Sequence, residues 1–295
     1  MAEENQKNDE LMGNIARREF VVASVAAAGI AATAATAEAA TEVVENNVEI
    51  KTPDGTCDAA FIHPKSGSHP AVVIWTDIFG LRPAFREMGK RLAAEGYSVL
   101  VPNPYYRKAK APVVDDPTKF DFQKDMAKMT PLMASFAPDG AIESDATAFI
   151  GFLDAQKQVN KSKKVGTQGY CMGGPLVFRT CAGMANRVGA GATFHGGGLV
   201  SANPNSPHLM IPKFHDRMYI AIASNDDMRQ PDAKDKLKEA FAAAKIPAEV
   251  EVYTTCQHGW CVPDMPLQNG MPIYNKPEAE RAWGKLLALY KTALA

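Results

Sequence analysis

Five cysteines in 295 residues are too few and too scattered for the disulfide scaffold of a small secreted domain. No charge of either sign dominates: 32 basic and 33 acidic side chains leave a net charge of −1, and the pI is about 6.6. That balance offers no basic footprint for a nucleic-acid partner. The chain has no CxxC pair and no HExxH, so no metal is implied. It also lacks Gly-x-Ser-x-Gly, a Walker phosphate loop and a dinucleotide fingerprint. Those gaps remove the usual serine hydrolases and nucleotide-dependent enzymes, and no cofactor is expected. Core-forming material is ample, with 46% hydrophobic against 22% charged residues. A disordered or collagen-like chain is excluded, and the length suits one large α/β unit.

The first segment reads as an export signal. A polar stretch carrying Arg17-Arg18 is followed by small and apolar residues from Phe20 to Ala37, ending in Ala37-Glu38-Ala39. A positively marked front, an apolar middle and an Ala-x-Ala exit are the parts such a signal needs. Residues 16–21 resemble the twin-arginine type, which implies export after folding. Residues 1–39 are therefore expected to meet the export machinery transiently and to leave residues 40–295 as the working domain, in the periplasm or secreted. Uncleaved, the same run is just long enough to span a bilayer and would act as a weak anchor; cleaved, no stable membrane insertion is expected.

The remainder alternates strands and helices. Val43–Lys51 and Thr56–His63 flank Pro53-Asp54-Gly55 and read as an opening hairpin. Ala71–Trp75 is a short continuous apolar run, the pattern of a strand covered on both faces. A helix over Arg82–Glu95 follows, with Phe85, Met88, Leu92 and Ala93 at helical spacing and Gly96 as its stop. Strands are predicted at Tyr97–Val101, Lys164–Tyr170, Ala190–His195, Met218–Ala223 and Glu249–Tyr253. Helices are predicted at Ala141–Val159, Met172–Ala185, Asp232–Ala244 and Pro277–Ala293. Repeated strand–helix units mean a doubly wound α/β fold, with a mostly parallel sheet of about eight strands flanked by helices. Residues 103–140 break the alternation with Pro104, Pro112, Pro117, Pro131 and Pro138. So long a connection is either a lid or a surface excursion with one helix held down by Met126, Met129 and Met133.

Chemistry concentrates at Gly169-Tyr170-Cys171-Met172-Gly173-Gly174, after a predicted strand and before a predicted helix. That is the setting of a nucleophile elbow. The turn strains the nucleophile's backbone, and Cβ atoms two residues to either side would collide with strand and helix, hence the glycines. At a helix N-terminus Cys171 would be favoured as thiolate, and the Met172 N–H would point at a developing oxyanion. An acid and then a histidine should follow in chain order. Asp226 and Asp227 end one strand, and His258 lies after the next, in Gln257-His258-Gly259-Trp260. His195 precedes the acid and reads as a pocket-lining or satisfied polar group. Cys57 and Cys181 read as packing residues. In an oxidising compartment Cys256 and Cys261 could form a disulfide that fixes the histidine loop, although spacing alone does not decide it.

Trp75-Thr76-Asp77-Ile78-Phe79-Gly80-Leu81, residues 91–97, Val101–Arg107, the cysteine elbow and His258-Gly259 together resemble the dienelactone hydrolase family of α/β-hydrolases, over about residues 43–294. The resemblance implies Cys171 as nucleophile, Asp226 as acid, His258 as base, and the N–H groups of Met172 and Ile78 as oxyanion hole. Aligning on the strand selects Asp226, whereas aligning on Pro231 favours Asp227. Two departures stand out. Asp77 takes the position of a family glutamate that pairs with the resting thiol. Val262 takes the place of one carboxylate-binding arginine, while Arg107 matches the other. Losing half of that clamp should shift preference toward a less charged ester or lactone. Tyr170 and Trp260, neighbours of the nucleophile and the base, complete the expected substrate contacts. The implied activity is hydrolysis of a small-molecule ester or lactone; the alternatives are a carboxylesterase for larger esters and a non-catalytic exported thiol redox or ligand-binding protein on the same fold.

Overall fold

A computed structural model describes residues 41–268 and 270–295; the expected export signal lies outside the described residues. The eight main strands are β1 (Val43–Thr52), β2 (Gly55–Pro64), β3 (Ala71–Trp75), β4 (Ser98–Pro102), β5 (Val165–Tyr170), β6 (Val188–Phe194), β7 (Arg217–Ala223) and β8 (Ala248–Tyr253). They form one sheet in the order β1-β2-β4-β3-β5-β6-β7-β8. β1 and β2 make the antiparallel hairpin, closing between Thr52 and Gly55, and β2 runs antiparallel to β4. From β4 to β8 every pairing is parallel.

Helices cover both faces, which is what the uninterrupted burial of β3, β4 and β5 requires. α1 (Pro83–Ala94) and α7 (Lys276–Ala293) contribute Phe85, Leu92, Trp283 and Leu286 to one core. α3 (Ala141–Asp154), α4 (Gly173–Gly183) and α6 (Ala233–Ala244) contribute Phe149, Phe178 and Phe241 to the other. α2 (Phe122–Ala134) lies in the long excursion, and α5 (Ser224–Arg229) is a six-residue helix directly after β7. The strand order turns back on itself at β3, with β4 on one side and β5 on the other. In open α/β sheets the crevice at such a reversal, off the carboxyl ends of the strands, is where ligands bind.

Two local expectations are corrected. The helix predicted to run to Val159 stops at Asp154, and Val159 instead makes an isolated parallel bridge with His69, just ahead of β3. Of the excursion's three methionines only Met129 is buried; Met126 and Met133 are half-buried. The segment is held instead by aromatics, with Phe120 and Phe122 packed 5.0 and 6.0 Å from Phe79.

Candidate active site

β5 delivers Cys171 to the sheet's carboxyl edge in a left-handed conformation, φ 51°. Its N–H donates to Phe194 O at 3.0 Å, and its own carbonyl accepts from Gly174 and Gly197. These bonds hold the strained residue between β5, β6 and α4. The glycines are obligatory: a Cβ on Gly169 would lie 2.2 Å from Gly173 O, and one on Gly173 would lie 2.5 Å from Trp75 O. The thiol is half-buried.

Two other strand ends converge on it. β7 runs into α5, which carries Asp226, and the loop after β8 carries His258. His258 Nδ1 is 2.7 Å from Asp226 Oδ2, and its backbone N–H donates to Asn225 Oδ1 at 2.9 Å. With Nδ1 engaged by Asp226, the other ring nitrogen is the one left to serve the Cys171 thiol. Burial opposes charge on this ring, but Asp226 and Cys171 outweigh it and hold the pKa up at about 10. Asp227 turns away to an ion pair with Lys234.

The loop after β3 forms the facing wall. Asp77 Oδ1 accepts from the Phe79 N–H and Asp77 O from the Gly80 N–H, a tight turn that leaves the Ile78 N–H between them unused by these bonds. Tyr105, fully buried, donates through Oη to Ile78 O at 2.6 Å and lies 3.2 Å from Met172 Sδ, so it ties this loop to the elbow.

Several expected roles meet a different geometry. Asp77 does not pair with the thiol: both of its oxygens are taken by Arg82, at 2.6 and 2.9 Å, and the side chain is sealed from solvent. Arg107 is spent within the fold, bidentate to Asp145 at 2.8 Å and bonded to Asp54 at 2.7 and 2.9 Å, so its donors pin the β1–β2 turn to α3 rather than facing a substrate carboxylate. Tyr170 points into the core, stacked on Phe194 at 4.9 Å. There it lines a cavity of about 390 Å³ between α1 and α7, of which neither Cys171 nor His258 is a wall. Trp260 is fully buried and stacked on Tyr253, so it supports the site from beneath. Cys256 and Cys261 are both free thiols.

His195, read from the sequence as a pocket-lining or satisfied polar group, is not satisfied: it is buried with neither ring nitrogen hydrogen-bonded, edge-on to His258 at 4.9 Å. Burial, reinforced by His258, drives its pKa well below the ordinary value, so it is neutral beside a charged neighbour. Sequence reasoning passed over Arg82, Tyr105 and Asp264. Arg82 and Tyr105 lie within or next to the segments that carry the family resemblance, but nothing local distinguishes them from surface residues. Among the described residues no cluster of three or more His, Cys, Asp or Glu is arranged to hold a metal.

An eight-stranded, mostly parallel sheet with a strained nucleophile-type turn after β5 defines an α/β-hydrolase. The sequence pattern of the dienelactone hydrolase family matches residues 57–294, and the chain belongs to that family. It is a hydrolase acting on ester or lactone bonds. Relatives include a carboxymethylenebutenolidase from Rhodococcus opacus, 27% identical over 71% of this chain and 78% of that protein. Another, from Pseudomonas putida, is 26% identical over 74% of this chain and 86% of its own length. Among solved structures, a dienelactone hydrolase-like promiscuous phosphotriesterase from metagenomic libraries superposes with a TM-score of 0.70 at 20% identity, covering 86% of this chain and 99% of that one. A dienelactone hydrolase from Anabaena variabilis gives 0.59 at 14% identity, covering 86% and 99%. At these identities the structural likeness speaks for the fold.

Proposed function

We propose that this protein hydrolyses small uncharged esters or lactones through a Cys171–His258–Asp226 triad. The observation that carries the reading is the His258–Asp226 pair, Nδ1 to Oδ2 at 2.7 Å, brought to the same sheet edge as the strained Cys171 turn, with the imidazole pKa raised to about 10 by Asp226 and Cys171 against its burial. At neutral pH His258 therefore carries the proton that the leaving group will need. The thiolate attacks the acyl carbon, and the carbonyl oxygen becomes an oxyanion facing the N–H groups of Met172 and Ile78. Collapse breaks the acyl C–O bond, and the departing alkoxide takes the proton from His258. Water then attacks the thioester, giving its proton to the now neutral His258. The second tetrahedral adduct expels the thiolate and releases the carboxylic acid. Asp226 holds the ring in orientation and stabilises its charge throughout.

The preference for uncharged substrates follows from Arg107 being committed to Asp54 and Asp145, with Val262 at the other family arginine position. A buried carboxylate without a partner is costly. Purified protein should therefore hydrolyse p-nitrophenyl acetate, and Cys171→Ala and His258→Ala should each lower kcat by about 10³-fold or more. Wild-type rates in either variant would end the proposal. In a panel of matched esters, a free carboxylate on the acyl group should lower kcat/KM by about tenfold; an increase would refute the neutral-substrate reading.

A further inference from the structure

We propose that Arg82 is a positioning residue for this hydrolysis, locking the loop that carries the Ile78 oxyanion donor to the loop that carries His258. The inference rests on the triad reading above and adds a group that touches neither substrate nor thiol.

Every N–H of the Arg82 guanidinium is in use. Nε donates to Asp264 Oδ2 at 2.8 Å, and Nη2 to Asp264 Oδ1 at 2.8 Å and Asp77 Oδ2 at 2.9 Å. Nη1 donates to Asp77 Oδ1 at 2.6 Å and to Gly80 O at 3.3 Å. Arg82 and Asp77 are each 1% exposed, whereas Asp264 keeps 28% and lets the excess negative charge reach water. The guanidinium lies 5.2 Å from the Phe79 ring centroid and 4.9 Å from that of Phe85. Paired bidentate forks fix direction as well as distance, which a point charge cannot do.

The partners explain what is being held. Asp77 opens the turn whose next residue is Ile78, and its Oδ1 also accepts from the Phe79 N–H, so one carboxylate fixes that turn to Arg82 from two sides. Asp264 belongs to the His258 loop and lies 182 residues along the chain from Arg82. Arg82 also occupies the N-cap position of α1, where its guanidinium, having donors but no acceptor, cannot cap the helix N–H groups. Its donors therefore serve the two loops rather than its own helix. An oxyanion donor must sit within a few tenths of an ångström of its target, so slack between these loops should weaken the transition state while leaving ground-state binding intact.

Arg82→Lys keeps the charge and loses the fork. In a variant that keeps the wild-type circular dichroism spectrum, kcat for p-nitrophenyl acetate should fall about 10- to 100-fold, with KM changed less than about threefold. Hydrogen exchange should rise at the backbone amides of both residues 76–81 and residues 254–264. An unchanged kcat, a loss confined to KM, or faster exchange in α1 alone would overturn the proposal. If Arg82→Lys does not fold, Asp264→Asn, at the partly exposed end, should lower kcat several-fold at constant KM and loosen residues 254–264; no change in either would count equally against it. The exchange measurement needs no substrate. A wild-type protein without esterase activity therefore sinks the triad reading, and the clamp is still decided by exchange.

Discussion

Two imidazoles stand 4.9 Å apart at the mouth of β5 and carry different charge. His258 is charged because Asp226 and Cys171 outweigh its burial, and His195 is neutral because burial acts on it without any compensating bond. Both have consequences for pH. His258, paired with Asp226, can protonate the leaving group only while it keeps its proton, so kcat/KM for an uncharged ester should fall as pH rises through about 10. A raised histidine pKa also means that folding gains from the pair fully below the ordinary value of 6.5 and loses that gain as pH rises toward about 10. The melting-temperature difference between wild type and His258→Ala should accordingly shrink between pH 6.5 and 10. His195 has the opposite sign. Its lowered pKa makes the unfolded chain bind more protons once pH drops below about 6.5, so it contributes a loss of stability on acidification. His195→Phe should flatten the decline in melting temperature between pH 7 and 5, and an identical decline would refute that assignment.

At the scale of elements, β5, Cys171 and α4 make a turn so tight that strand and helix backbones touch through missing side chains. Gly169 and Gly173 are both sensitive, because an added Cβ would meet a backbone carbonyl oxygen, of Gly173 in the first case and of Trp75 in β3 in the second, and backbone gives way less readily than a side chain. Gly173→Ala should lower stability by about 1–3 kcal/mol, read as a reduced urea midpoint at constant slope, and should disturb the oxyanion turn that follows β3. The elbow was legible in the sequence because its glycines, its strand and its helix are contiguous. α5 was not legible: six residues give too short a period to read, and its acidic pair appears in sequence only as the end of a strand. The helix in the excursion was half legible. Its start is set by Asp121, whose side chain accepts from the Gln123 and Lys124 N–H groups, but its attachment through Phe120 and Phe122 depends on Phe79, a residue of another segment.

Across the whole molecule, the sheet gathers strand ends from both halves of the chain at one edge, and the loops there are joined by charge rather than by covalent bonds. The thiols beside His258 are free, so denaturation in urea with a chromogenic disulfide reagent should titrate five cysteines; three would mean that Cys256 and Cys261 are bonded after all. The order of strands and helices, the parallel sheet and the place of the cysteine turn are local properties, written in apolar periodicity and in the positions of glycine and proline, and the sequence alone determined them. Which charge meets which was decided only by tertiary structure. Asp77 with Arg82 and Asp264, and Arg107 with Asp54 and Asp145, are pairings across separate segments, and a charged side chain carries no mark of its partner until folding brings the two within about 3 Å.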